Sequence, residues 1–171
     1  MYIIEKRRES ALMNAILELL EKDAKMSAEQ IASSLGMKVE DVAAAIEEYE
    51  EKDIIAGYKT LIDWDKVGDE SVTALIEIKV IPQRGQGFER IAERMSQYDE
   101  VESVYLMSGA YDIAVTVHGQ SLREVACFVS DKIAPLEYVT STANHFVLKK
   151  FKDKGVMYTN TEKNQERGYA F

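Results

Sequence analysis

The sequence predicts an α+β chain: an N-terminal winged helix-turn-helix unit followed by a ferredoxin-like βαββαβ unit. Three observations lead there. Up to Tyr49, apolar residues recur at the three- and four-residue spacing of amphipathic helices. From Val72 the period becomes two, interrupted by two further helical stretches. Between those stretches lies Val101 to Gly119, two alternating segments that meet at Gly109-Ala110-Tyr111-Asp112.

A first helix is expected over residues 6–22. Leu12, Ala15, Ile16, Leu19 and Leu20 share one of its faces. Ser27-Ala28-Glu29-Gln30 is a capping box, serine at the N-cap and glutamine three residues on. It opens a second helix that buries Ile31, Ala32 and Leu35, and Gly36 stops it because glycine accepts the left-handed conformation. A third helix runs from Val39 to Lys52-Asp53 with Val42, Ile46 and Tyr49 inward. Two short helices joined at a glycine, with a longer one in front, make a helix-turn-helix. Ile54 to Lys59 and Leu61 to Asp63 read as short wing strands. Trp64 to Ser71 is polar and reads as a linker.

In the second unit, Ala74, Ile76, Ile78 and Val80 alternate with Thr73, Leu75, Glu77 and Lys79, which predicts a half-buried strand. Pro82 ends it, and residues 83–87 form a loop. Phe88, Ile91, Ala92 and Met95 mark a helix. The hairpin follows, with Ile113, Val115 and Val117 alternating in its second arm. Ser121 caps a last helix with Glu124 at the capping-box position, lined by Leu122, Val125, Ala126, Val129 and Ile133. Pro135 follows that helix, and Val139 to Lys150 is a final strand. Both helices would cover one sheet face. The other would show Leu75, Tyr105, Met107 and Ala114, apolar enough to require a second copy of the sheet. The expected boundaries are 1–63 for the head, 64–71 for the linker, 72–151 for the sheet domain and 152–171 for an aperiodic, largely unpacked tail.

The 171 residues include a single cysteine, Cys127, which excludes an internal disulfide and a cysteine-rich zinc site and fits a cytoplasmic location. No apolar run approaches the roughly 20 residues of a membrane span, and the N-terminus has no signal-peptide pattern. No phosphate loop, Ser/His/Asp set or metal-ligand spacing appears, so neither cofactor nor metal is expected. The net charge of −9 opposes nucleic-acid binding, although a local basic patch can persist on an acidic protein.

Ser108, Tyr111 and Asp112 are polar groups at a strand end, where small polar ligands meet backbone donors. The plain alternative is a hairpin turn with a packed tyrosine. Together with Ser27-x-x-x-Ile31-Ala32, Gly36, Val42, Ile46 and Ile54-Ile55-x-Gly57-Tyr58, the motif Gly109-x-Tyr111-Asp112 makes residues 8–150 resemble the Lrp/AsnC feast/famine regulators. The resemblance implies a DNA-binding head and a C-terminal domain that senses amino acids and builds dimers, often octamers. It places the effector between sheet domains, beside Met107, Ser108, Gly109, Ala110, Tyr111 and Asp112, with Thr140, Ser141 and Thr142 contributing from the last strand. Asp112 would take the ligand's ammonium, or instead orient the loop. Backbone N–H groups near Gly109 and Ala110, with the Thr140 or Thr142 hydroxyl, would take its carboxylate. Met107 or Tyr111 would wall its side chain.

The DNA-reading half departs from the family pattern. Arginine is typical where Ala44 and Ala45 stand. From Val39 to Asp53 there are seven acids against one base, and residues 1–60 carry thirteen acids and eight bases. Phosphate contact dominates affinity, so these charges oppose it. Arg7, Arg8, Lys25 and Lys38 remain as backbone clamps, and Glu40 or Asp41 could accept from cytosine N4. One alternative is therefore an oligomeric small-molecule sensor without sequence-specific DNA binding. A remote one is an enzyme resembling siroheme decarboxylases. Those carry an arginine- and histidine-rich segment after the head, where this chain has the acidic Trp64 to Glu70, and His118 and His145 are the only histidines.

Overall fold

The computed structural model describes residues 2–81 and 87–158, with side chains from Leu12 onward. The expected loop after Pro82 therefore lies mostly outside the described residues. The chain divides into two units, Met1–Leu61 and Ile62–Phe171.

In the first unit, α1 (Tyr2–Lys22) begins before the expected Lys6 and buries Ile16 and Leu20. They pack with Ile31 and Ala32 of α2 (Ala28–Leu35) and with Val42 and Tyr49 of α3 (Val39–Glu51). The Ser27 hydroxyl accepts from the Gln30 N–H at 3.3 Å, and the Ser27 N–H donates to the Gln30 side chain at 2.8 Å. This reciprocal cap starts α2 where the sequence places it. Gly36, at φ 65°, ends it and aims α3.

The wing strands are a correction: residues 54–63 form no ladder. The N–H groups of Ile54 and Ile55 both donate to the Tyr49 carbonyl, at 2.9 and 3.0 Å. Tyr58 folds back in the same way, its hydroxyl donating to Glu50 at 2.8 Å. Donors tied to the end of α3 are not available to a neighbouring strand.

Tyr49 is 1% exposed, and its hydroxyl has no hydrogen-bond partner among the described residues. Burial, with the Glu48 charge second, pushes its ionisation above the usual phenol range. An unpaired buried hydroxyl is already a desolvation penalty. Tyr49→Phe is therefore expected to raise the unfolding free energy by about 1 kcal/mol, read by denaturant titration. A loss of stability would mean that the hydroxyl has a partner.

In the second unit β1 (Val72–Val80), β2 (Val101–Leu106), β3 (Ile113–Gly119) and β4 (Val139–Phe146) form one antiparallel sheet in the order β2-β3-β1-β4, the ferredoxin-like arrangement. Ala74, Ile76, Ile78, Val115 and Val117 face α5 (Phe88–Met95) and α6 (Leu122–Phe128) and make the core with Ile91, Met95, Val125 and Phe128. The Ser121 hydroxyl caps α6 by accepting from Glu124, whose carboxylate reaches the Gln120 N–H. The helix continues as a π-turn over Val129–Ile133. Leu122 and Ala126, expected inside, are exposed; Phe128 takes the interior place.

The opposite face follows from the pairing: Leu75 with Thr116 and His145, Glu77 with Ala114 and Ala143, and Tyr105 with Ala114. Tyr105 and Met107 are exposed as expected, Leu75 is half-buried and Ala114 is buried. Polar side chains surround them, including a 3.5 Å contact between His145 and Glu77. This face is mixed in character, not continuously apolar.

Two segments expected to lack structure have it. Trp64–Val67 is a single helical turn, α4, ended by Gly68 at φ 81°. Lys152–Asp153 (β5) and Val156–Met157 (β6) pair as a hairpin. Its turn, Lys154-Gly155, has φ of 45° and 83°, the two positive values of a tight hairpin turn. The last strand is shorter than expected, ending at Phe146.

Candidate functional site

The loop from Met107 to Asp112 is held at its base and open at its tip. The Met107 N–H donates to the Asp112 carbonyl at 2.8 Å, closing the hairpin. The Asp112 N–H donates to the Ile78 carbonyl at 3.0 Å, and the Asp112 carboxylate accepts from the Val80 N–H at 2.9 Å. Asp112 therefore ties the loop to the end of β1 by backbone and side chain together. Met107 through Ala110 are exposed, and Tyr111 is half-buried. The N–H groups of Gly109 and Ala110 make no hydrogen bond among the described residues. The tip thus carries unpaired donors two and three residues before a fixed carboxylate.

The last strand reaches the same end of the sheet from the other side. Thr142 pairs with Ile78 and Ser141 with Lys79, next to the shift of register between Lys79 and Val80. Ile78 also pairs with Ile113, so β1 lies between the two halves of the candidate site. Two strand spacings put them roughly 10 Å apart. Ser141 lies on the open face. Thr142 shares the helix-covered side with Ile78 and is half-buried. The Thr140 hydroxyl donates to the Lys79 carbonyl at 3.1 Å, so its proton is committed. Of the two hydroxyls expected to meet a ligand carboxylate, that of Thr140 is engaged with Lys79 in this structure.

A recess of 80 Å³ in this unit lies beside Trp64 and Lys150, and one of 570 Å³ in the head lies between α1 and Ile54 to Lys59. Neither includes a candidate effector residue. The exposed stretch from Met107 to Ala110 is an open shelf on one protomer, whereas Ser141 and Thr142 lie on opposite faces of the sheet and do not share one surface.

In the head, the Arg7 and Arg8 side chains lie outside the described ones. Lys25 is exposed in the turn before α2, and Lys38 is the exposed N-cap residue of α3. Glu40 and Asp41 stand in the first turn of α3, exposed, as is Ala44. Ala45 instead packs half-buried against the head core. The outward stripe is Glu40, Ala43, Ala44 and Glu47. Ala43 and Glu47 were legible from the inward spacing of Val42, Ile46 and Tyr49. Lys52, the one base at the end of α3, is bonded to Glu48. That bond holds its ammonium above the usual lysine range, and with both side chains more than half exposed the pair is a weak one.

A three-helix head with its third helix outward, and a split βαβ sheet with a donor-bearing loop at one end, define a helix-turn-helix regulator with a C-terminal ligand-binding domain. Residues 73–157 match the Lrp/AsnC ligand binding domain. The chain is 47% identical over 144 residues to the uncharacterized HTH-type transcriptional regulator YugG of Bacillus subtilis, covering 84% of this chain and 87% of that one. It is 31% identical to the HTH-type transcriptional regulator LrpA of Pyrococcus horikoshii over 137 residues, 80% of this chain and 94% of that one. The chain belongs to the Lrp/AsnC family of transcriptional regulators. The Mycobacterium tuberculosis leucine response regulatory protein has the same fold at TM-score 0.70 and 20% identity, covering 86% of this chain and 98% of that one. So has the Neisseria meningitidis regulator NMB0573, solved with L-Met, at TM-score 0.65 and 18% identity, covering 83% and 92%. Among the described residues no helix is long and apolar enough to cross a membrane, and no group of three His, Cys, Asp or Glu side chains is placed to hold a metal ion.

Proposed function

We propose that this protein is a cytoplasmic, DNA-binding regulator whose sheet domain takes an amino acid at the Met107 to Asp112 loop. One observation carries the effector reading: Gly109 and Ala110 offer unpaired N–H groups beside a carboxylate fixed to β1. The free donors suit the ligand's carboxylate. The Asp112 oxygen not bonded to Val80 suits its ammonium. Met107 and Tyr111 supply the apolar wall. The shelf is open on one protomer, so a second copy packed on the exposed sheet face closes it, making the active form a homodimer at least.

The test is a melting screen against the twenty amino acids. At about 100 times its Kd, a true effector stabilises the native state by about 2.7 kcal/mol, a shift of several degrees. If no amino acid moves the melting point, the effector reading fails. The best hit is then used in a pull-down of genomic fragments at low salt. Absence of sequence-specific retention would leave a sensor that does not engage DNA, as the acidic outward stripe of α3 would favour. A sedimenting monomer at micromolar concentration would refute the dimer.

A further inference from the structure

The acidic head leaves a physical problem. Phosphate contact supplies most of the affinity of a DNA-binding protein. Yet α3 presents Glu40 and Glu47 outward, and its terminal lysine is bonded to Glu48. The cations that meet a duplex must also come from elsewhere.

The densest basic segment lies at the other end of the chain. Lys149, Lys150, Lys152 and Lys154 stand within six residues, against the single acid Asp153, in a chain of net charge −9. Lys149, Lys152 and Lys154 are exposed. Lys150 is half-buried and pairs with Asp153 at 3.2 Å. Lys152 and Lys154 have no ion-pair partner among the described residues. The positive φ values of Lys154 and Gly155 build a tight turn that puts Lys154 at the tip. Lys149 lies over the Phe151 ring, its Nζ 5.2 Å from the centroid, and Lys150 over Tyr158 at 5.4 Å. These aromatic contacts restrict two of the lysines, which lowers the entropy cost when they meet an anion. The hairpin base is held too: Tyr158 donates its N–H to the Phe151 carbonyl at 3.0 Å and accepts from Lys66 at 3.3 Å.

We propose that the hairpin from Lys149 to Met157 is a second DNA-contacting surface that grips the phosphate backbone of a duplex. The inference rests on the DNA-binding reading above and assigns to the sheet domain the cations that α3 lacks. The hairpin meets phosphate, so it strengthens every sequence alike and leaves base reading to the head.

The test compares full-length wild type with K149Q/K150Q/K152Q/K154Q in duplex binding across a salt series. The log–log salt slope should become shallower by about 0.9 for each phosphate that the variant no longer neutralises. Affinity at low salt should fall at least about tenfold, equally for a selected site and a scrambled duplex. Arginine at the same four positions should restore the slope. K149Q/K152Q/K154Q keeps the Lys150–Asp153 pair and covers the case in which the fourfold variant folds poorly. An unchanged slope in a folded variant overturns the inference while the DNA-binding reading stands. So does a change of oligomer mass with duplex affinity intact, which would assign the hairpin to the acidic third helix of another copy. A wild type that retains no duplex at low salt ends both.

Discussion

Ile31→Ala is expected to destabilise the helical head strongly and weaken DNA retention with it, while the sheet domain stays assembled. Ile31 is 0% exposed and packs among Ile16, Leu20, Val42 and Tyr49. Deleting its outer carbons removes transfer energy and leaves a cavity, about 2–5 kcal/mol together. A head of about 60 residues buries a modest core, and whole domains are stable by only about 5–15 kcal/mol, so this loss is a large share. The sheet domain has its own core, built on Ile76, Ile78 and Val115, with no residue in common. Two measurements check this. Calorimetry should show one transition abolished or lowered and the other in place, and an amino acid that stabilises wild type should still stabilise the variant. If the head transition is lost and duplex affinity is nevertheless unchanged, the head is not the DNA-reading unit. If sedimentation shows that the oligomer falls apart as well, the two units do not fold separately.

Asp112→Ala is expected to lower the melting point of the sheet domain and remove its response to the effector. The carboxylate accepts from the Val80 N–H, a partly buried donor that alanine would leave without an acceptor. That costs about 1–3 kcal/mol. The loop is also freed from β1, so the Gly109 and Ala110 donors lose their position. Asp112→Asn separates the two roles. Its amide oxygen can still accept from Val80, so the melting point should largely return. Its missing charge can no longer hold an ammonium, so effector affinity should stay roughly 10- to 100-fold low, the worth of a charged hydrogen bond. If the asparagine variant binds an amino acid as tightly as wild type, Asp112 only orients the loop.

The sequence by itself determined the elements whose cause is local. Ser27 and Gln30 cap one another within one turn, Gly36 supplies the left-handed stop, and the alternation from Ala74 to Val80 decides which strand face is buried. The Gly109 to Asp112 bend was visible in the sequence, but not what holds it: Gly109 does not take a positive φ, and the Asp112 N–H and carboxylate bond Ile78 and Val80 of β1 instead of their own turn. What only the tertiary structure decided depends on partners distant in the chain. Ile54 to Lys59 have strand-forming residues, yet the Ile54 and Ile55 donors turn back to Tyr49, and no ladder forms. The segment after Phe151 has no periodicity, and its hairpin is recognised only once Lys152 meets Met157 across a two-residue turn. Leu122 fits a helical stripe but stays exposed, because the stripe that meets the sheet is Val125, Phe128, Val129 and Ile133. Thr140 looked like a free hydroxyl until the carbonyl of Lys79, a strand away, took its proton. Local backbone preference and hydrophobic period can be read along one dimension. The acceptor that a hydroxyl finds, or the strand that a donor pairs with, exists only after the chain has closed on itself.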